Sequence, residues 1–326
     1  MDFTLGETQQ AVSQLAAQVL TDPDPWKELA RAGLLDVSPP DGLGVLEVAV
    51  LLTEIGQRAP SMKALATLMT GALPLARWGN ADLKQALLPG IASGELLLTA
   101  ALREPSHPQP SPPATAVTDG TITGLKIGVP YAEQSRLLLV PARLAPGDGV
   151  FLINPRGPGV ELTRTPSSTG EPEYALELDH APVEGMLGGA DCVRDLYQLA
   201  VAGACALADG VVAGALALTR DHVASREQFG RPLAAFQAVS QQIADVYIAS
   251  RTMHLAALSA CWRLAEGRDA AADLAVAGYW CAEQAPRSVR LCHHLHGGIG
   301  MDVTYPLHRF SSLIADLTRY LPCSST

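Results

Sequence analysis

Two short stretches hold the residues whose types and spacing could do chemistry. The first is Arg226-Glu227-Gln228-Phe229-Gly230-Arg231-Pro232-Leu233, followed by Phe236-Gln237. This order predicts a helix stop at Gly230 and a restart after Pro232. An arginine at such a break either offsets the helix dipole or presents its planar fork to a phosphate or diphosphate. The second groups Cys292, His293, His294 and His296 just ahead of Gly297-Gly298-Ile299-Gly300. Cys292 and His296 have the i, i+4 spacing of two metal ligands on one helix face, yet no second Cys/His or Cys/Cys pair completes a tetrahedral set. Helix-end packing and hydrogen bonding are the other fate open to these histidines, and metal is not assigned. The glycines would let a backbone approach a ligand closely, but without a preceding strand they are no dinucleotide fingerprint. No nucleophile elbow, phosphate-binding P-loop or zinc-protease motif occurs in the chain.

The elements that must position these stretches come in three textures. Residues 1–95 read helical, with Val12, Leu15, Ala16 and Val19, then Leu46, Leu51, Leu52 and Ile55, then Leu65, Leu68 and Leu75 at helical spacing between proline and glycine breaks. Residues 96–188 read as a β-barrel-like domain of short runs: 96–102, 114–118, 120–129, 137–140, 150–153 and 174–178. In the last of these Tyr174, Leu176 and Leu178 alternate with Ala175, Glu177 and Asp179, as in a half-buried strand. Pro105 to Pro113 reads as a loop within this unit rather than a linker. Residues 189–326 read as a bundle of long antiparallel helices, with Phe236, Val239, Ile243, Val246, Met253, Ala257 and Leu264 in helical register.

The 326 residues, 48% apolar, suffice for a large core, and the formal net charge of −10 repels nucleic-acid phosphates. Six scattered cysteines without a C-x-x-C pair, and an N-terminus without a basic then apolar run, suit a reducing cytoplasm. Leu199 to Leu218 is apolar except for Asp209 and carries Gly210 and Gly214 four apart. Its small residues and its acid fit a tightly packed helix of a soluble bundle better than a membrane span.

Together, residues 226–237 and 295–310 resemble the flavin-dependent acyl-CoA dehydrogenases, and the helix, β, helix order is that family's three-domain order. Gly42-Leu43-Gly44, Glu47 and Glu54-Ile55-Gly56 resemble its N-terminal pattern. The resemblance implies an α+β multidomain fold with a C-terminal four-helix bundle, and FAD as cofactor. It implies that Arg226, Gln228, Phe229, Leu233, Phe236, Gln237, His294, Gly297 and Gly298 hold the diphosphate and adenosine of a neighbouring subunit's flavin. His294 stands where relatives carry glutamine.

Other positions depart from the family. Arg103-Glu104-Pro105-Ser106-His107-Pro108 lacks the hydroxyl and glycine of the corresponding motif, and Gly128 and Pro130 replace the aromatic residue and threonine that meet the flavin ring. Proline has no N–H to offer and glycine no ring to pack. The two known positions of the family's catalytic glutamate fall on Leu321 and Ala200, neither of which accepts a proton, so no catalytic residue is assigned. A missing general base costs roughly 10²–10⁴ in rate.

The pattern most resembles the non-catalytic α subunit of actinobacterial heteromeric (α2β2) sterol side-chain acyl-CoA dehydrogenases. It implies a homologous catalytic partner sharing the FAD, a steroid acyl-CoA substrate and an electron-transfer flavoprotein as acceptor, with no nucleic-acid or membrane partner. Two other readings stay open: a homotetramer using an atypical base such as Asp209, Asp316 or Glu283, and a non-enzymatic scaffold or Cys/His metal protein.

Overall fold

The computed structural model describes residues 3–58, 61–105, 112–145 and 147–321. Helices open the chain: α1 (Glu7–Val19), α2 (Pro25–Arg31), α3 (Val45–Arg58), a π-helical stretch Leu65–Ala72 running into α4 (Leu73–Trp78), and α5 (Ala81–Ala92). Their starts follow local chemistry. Asn80 accepts a hydrogen bond from the Leu83 N–H at 2.9 Å, and Pro25 stands at the first position of α2 behind Asp24.

Eight strands follow: β1 (Leu97–Ala100), β2 (Ala116–Thr118), β3 (Thr121–Pro130), β4 (Ser135–Leu144), β5 (Gly147–Ile153), β6 (Val160–Thr165), β7 (Glu173–Pro182) and β8 (Gly185–Gly188). They form one sheet in the order β6-β7-β3-β2-β4-β5-β8, with β1 parallel to β4. Among the described residues the end strands β6 and β8 do not pair, so the sheet stays open where a barrel-like closure was expected. The alternation at Tyr174, Leu176 and Leu178 is inward-facing, as read from the sequence. Strands β6 and β8 were not foreseen. β6 is an edge strand with no buried residue, and β8 is four residues long, so neither presents a hydrophobic run. Of the proline-rich loop, residues 106–111, including Ser106, His107 and Pro108, lie outside the described residues.

The bundle consists of α6 (Ala190–Ser225), α7 (Gln237–Ala265), α8 (Ala271–His296) and the shorter α9 (Leu307–Leu317). Helix α6 packs against α3, α7, α8 and α9 and is the axis of the molecule. It is long and apolar enough to cross a membrane, but 89% of its most apolar window is buried inside the protein. Gly210 and Gly214 explain its small-residue pattern. A Cβ on Gly210 would run into the Thr53 carbonyl of α3, and one on Gly214 into that of Gln57. Asp209, 3% exposed, is satisfied by His254 of α7 at 2.8 Å.

Candidate functional site

The arginine-rich stretch folds differently from the sequence reading. Helix α6 ends at Ser225, not at Gly230, and residues 227–232 form a two-stranded hairpin of β9 (Glu227–Gln228) and β10 (Arg231–Pro232). Phe229 and Gly230 make its turn with φ of 53° and 78°. Paired left-handed residues are what a two-residue hairpin needs, and glycine supplies one of them without strain. The restart after Pro232 is as expected, through a short 3₁₀ turn into α7 at Gln237.

Beside this hairpin, the C-terminal ends of α6 and α8 frame an open groove of about 680 Å³. Arg226, Gln228, Leu233, His294, Gly297 and Gly298 all line it. The other three expected residues stand off. Phe229 projects into solvent at 91% exposure, its ring 6.2 Å edge-on from Phe236, which lies under the Arg231 guanidinium at 4.1 Å. Gln237 begins α7 and is exposed. Histidines 222 and 296 also line the groove and were missed as such. The available signal was spacing: His222 stands four residues, about one turn, before Arg226 at the end of the helix.

The groove has the chemistry of an anion site. Arg226 has no carboxylate partner among the described residues, and no carboxylate lines the groove, in a chain of net charge −10. A Cβ on Gly298 or on Gly297 (φ 60°) would project into open space, so the glycines leave a cradle that a ligand can enter. His296 is not free for a metal. Its Nδ1 lies 2.8 Å from the Cys292 carbonyl and its Nε2 3.0 Å from the Tyr305 hydroxyl. Burial lowers its pKa, as do the nearby His222 and His293, against the pull of that carbonyl.

Where the resemblance places the flavin ring, other side chains pack against the strand. At the end of β3, a Cβ on Gly128 would meet the Arg103 guanidinium, and the Tyr320 hydroxyl lies 3.4 Å from the Gly128 carbonyl. Tyr320 is 6% exposed and its pKa is pushed up by burial, ahead of the nearby Glu173 carboxylate. Arg319 ties this plug in place, 2.8 Å from Glu173 and 2.6 Å from Asp316. Below it Lys126, fully buried, pairs with Glu104 at 2.7 Å. Burial would raise the Glu104 pKa, but hydrogen bonds from Lys126, Thr115 and the Ala114 N–H outweigh it and hold the group at about 2.

Ala200 and Leu321 are buried apolar residues, 2% and 1% exposed. Of the alternatives, Asp209 is engaged with His254, Asp316 accepts from the N–H groups of Ser168 and Thr169 at 2.8 and 3.0 Å, and Glu283 belongs to α8.

Comparison with known proteins accords with this geometry. Residues 2–95 match the family model "Acyl-CoA dehydrogenase, N-terminal domain" and residues 197–316 match "Acyl-CoA dehydrogenase, C-terminal domain". This chain belongs to the acyl-CoA dehydrogenase family. It is 46% identical over 333 residues to acyl-CoA dehydrogenase FadE28 of Mycobacterium tuberculosis, covering 98% of this chain and 95% of that protein. Among solved structures it is similar to the ChsE4-ChsE5 complex from Mycobacterium tuberculosis, with TM-score 0.89 and 33% identity over 98% of this chain and 94% of the other. It is equally similar to a steroid ACAD, the Tcur3481-Tcur3483 G363A variant, with TM-score 0.89 and 33% identity over 97% and 94% of the two chains. The family consists of flavoprotein oxidoreductases of lipid metabolism, and FAD is their cofactor. The acid-free groove with its arginine and its open glycines has a lining compatible with an adenosine diphosphate, while Arg103 and Tyr320 pack against Gly128, where the resemblance places the flavin ring.

Proposed function

We propose that this chain is the non-catalytic subunit of a heteromeric FAD-dependent acyl-CoA dehydrogenase. A homologous partner in an α2β2 assembly supplies the flavin-ring contacts and the catalytic glutamate that Ala200 and Leu321 do not provide. The assembled enzyme would desaturate the α,β bond of a steroid side-chain acyl-CoA in the cytoplasm and pass its electrons to an electron-transfer flavoprotein. Residues 1–95, 96–188 and 189–326 would be its three domains. Arg226, Gln228, Leu233, His294, Gly297 and Gly298 would hold the diphosphate and adenosine of the shared flavin, with Phe229, Phe236 and Gln237 closing over it from the hairpin side.

The observation that supports this reading is a contrast: an open, acid-free groove at Arg226, and Arg103 and Tyr320 packed against Gly128, where the resemblance puts the flavin ring. The likeness to the ChsE4-ChsE5 complex and to a steroid ACAD supports the heteromer and the substrate class. The test is expression with and without a homologous partner, followed by flavin content and assembly mass. One flavin per two chains, found only in the mixed assembly and reduced by a steroid acyl-CoA, is expected. Flavin bound one per chain in a homo-oligomer would overturn the reading.

A further inference from the structure

The groove lies between the C-terminal ends of α6 and α8. The carbonyl ends of helices carry partial negative charge, which opposes an anion. Arg226 is the single permanent cation in the lining, and it would face a diphosphate that carries two negative charges. A second positive charge must come from a group that can acquire one.

His222 is that group. Its imidazole stacks on His296 with ring centroids 4.5 Å apart and planes 18° from parallel. The two rings differ in what holds them. A carbonyl only accepts, so the His296 Nδ1–H donates to Cys292 and its Nε2 accepts from the Tyr305 hydroxyl. That assignment holds for the neutral ring, which burial favours by lowering the His296 pKa. His222 is half-exposed, lines the groove, and lies beside Arg226 one turn away. The charges around it are Arg226 and the Arg220–Asp221 pair on its own helix, His293, His294 and His296 on α8, and Tyr305 on the turn that follows. In the free groove burial, then the Arg226 charge, lowers the His222 pKa, which leaves the ring neutral near pH 7. An anion between Arg226 and His222 cancels the Arg226 repulsion and favours the protonated ring directly, against the burial.

We propose that His222 is a proton-linked contact for the diphosphate in this groove, so that docking of an adenosine-diphosphate group transfers one proton from solvent to the imidazole. The inference rests on the diphosphate reading of the groove given above, and names the pH control of that same site.

The test uses ADP-ribose, which carries the adenosine-diphosphate half of FAD. Its diphosphate is a diester and does not itself titrate near neutrality. Calorimetry on the flavin-free mixed assembly between pH 6 and 8.5, in two buffers of different ionisation enthalpy, reads affinity and proton uptake together. The wild-type assembly should lose up to about tenfold in affinity per pH unit across the titration of His222, with net uptake approaching one proton. His222→Gln keeps a polar donor without proton affinity, so it should bind at the wild-type high-pH level at every pH and take up no proton. The ring signal of His222 in the wild-type chain, followed by NMR, should titrate at higher pH with ADP-ribose bound. Binding without proton uptake, or uptake that survives in His222→Gln, would overturn the inference and leave the groove reading intact. No binding of ADP-ribose to the flavin-free mixed assembly at any pH would overturn both.

Discussion

At the scale of the residue, the site separates charges that are used from charges that are tied down. Arg226 is exposed and unpaired by any carboxylate among the described residues, whereas Arg319 and Lys126 are spent on internal partners. Arg226→Ala should therefore remove one charge-assisted contact to the diphosphate, worth about 1.5–3 kcal/mol, and weaken flavin retention in the assembled enzyme about ten- to a hundredfold. The melting temperature of the flavin-free protein should stay within about a degree of wild type, since substitutions at exposed sites fall within about 0.5 kcal/mol. A large loss of stability with flavin content unchanged would contradict this. Lys126→Met behaves in the opposite way. It strands the Glu104 carboxylate, 4% exposed, in the sheet interior, and breaking such a pair costs about 3–5 kcal/mol. The Glu104 pKa is held at about 2 in the folded chain against an ordinary 4.5, so its contribution is complete above about pH 4.5 and is lost as pH falls through about 2. Acid unfolding of Glu104→Gln should be flatter across that window than that of wild type. These local chemistries were legible in part. The residue types at Arg226, His294, Gly297 and Gly298 pointed to the groove, but the Arg103–Gly128–Tyr320 contact joins positions far apart in the chain, and no local pattern encodes such a meeting.

At the scale of the element, periodicity gave the long helices and missed what periodicity does not mark. Val246, Met253, Ala257 and Leu264 are all buried along α7, and Leu15, at 36% exposure, is the apolar position of α1 that faces outward. The hairpin at 227–232 escaped because its signal is two consecutive left-handed residues, Phe229 and Gly230, inside what reads as a helix end. Gly210 and Gly214 were legible as a close-packing signal, and the structure supplies the partner, α3. Gly210→Ala should cost about 1–3 kcal/mol through forced separation of α3 and α6, measurable by denaturant unfolding. An unchanged midpoint would mean that the two helices tolerate the added methyl. A second link between helices is sensitive to pH. The hydrogen bond to Asp209, opposed by burial, raises the pKa of His254 above 6.5. A raised pKa means stability is fully present below about pH 6.5 and declines as pH rises through the folded-state value. His254→Gln should remove that decline between neutral and alkaline pH, and a wild-type chain equally stable at pH 6 and pH 9 would refute the assignment.

At the scale of the whole molecule, one cluster of polar contacts fastens the sheet to the end of the bundle. Asp316 of α9 accepts from the Ser168 and Thr169 N–H groups and from the Thr169 hydroxyl at 2.8 Å, in the turn between β6 and β7. Arg319 extends the tie to Glu173 at the start of β7, and Glu171 accepts from the Met62 N–H of the N-terminal helical region at 2.8 Å. The carboxylate of Asp316, 2% exposed, is held below the ordinary range because these donors and Arg319 outweigh the burial that would raise it. Such a carboxylate is a structural anchor rather than a base, since a group stabilised in its charged form is a poor proton acceptor. Asp316→Ala leaves three donors and a guanidinium without their acceptor. The expected cost is about 3–5 kcal/mol. Its distribution is the sharper test: hydrogen exchange should quicken in residues 166–173 and 316–321, and at the Gly128 end of β3 that Tyr320 covers, while the buried middle of α6 keeps its protection. Uniform acceleration across the chain would show that the cluster merely adds to global stability. Confined acceleration would show that Asp316 and Arg319 keep the ring face shut, which is the condition under which one chain offers a flavin only its diphosphate groove.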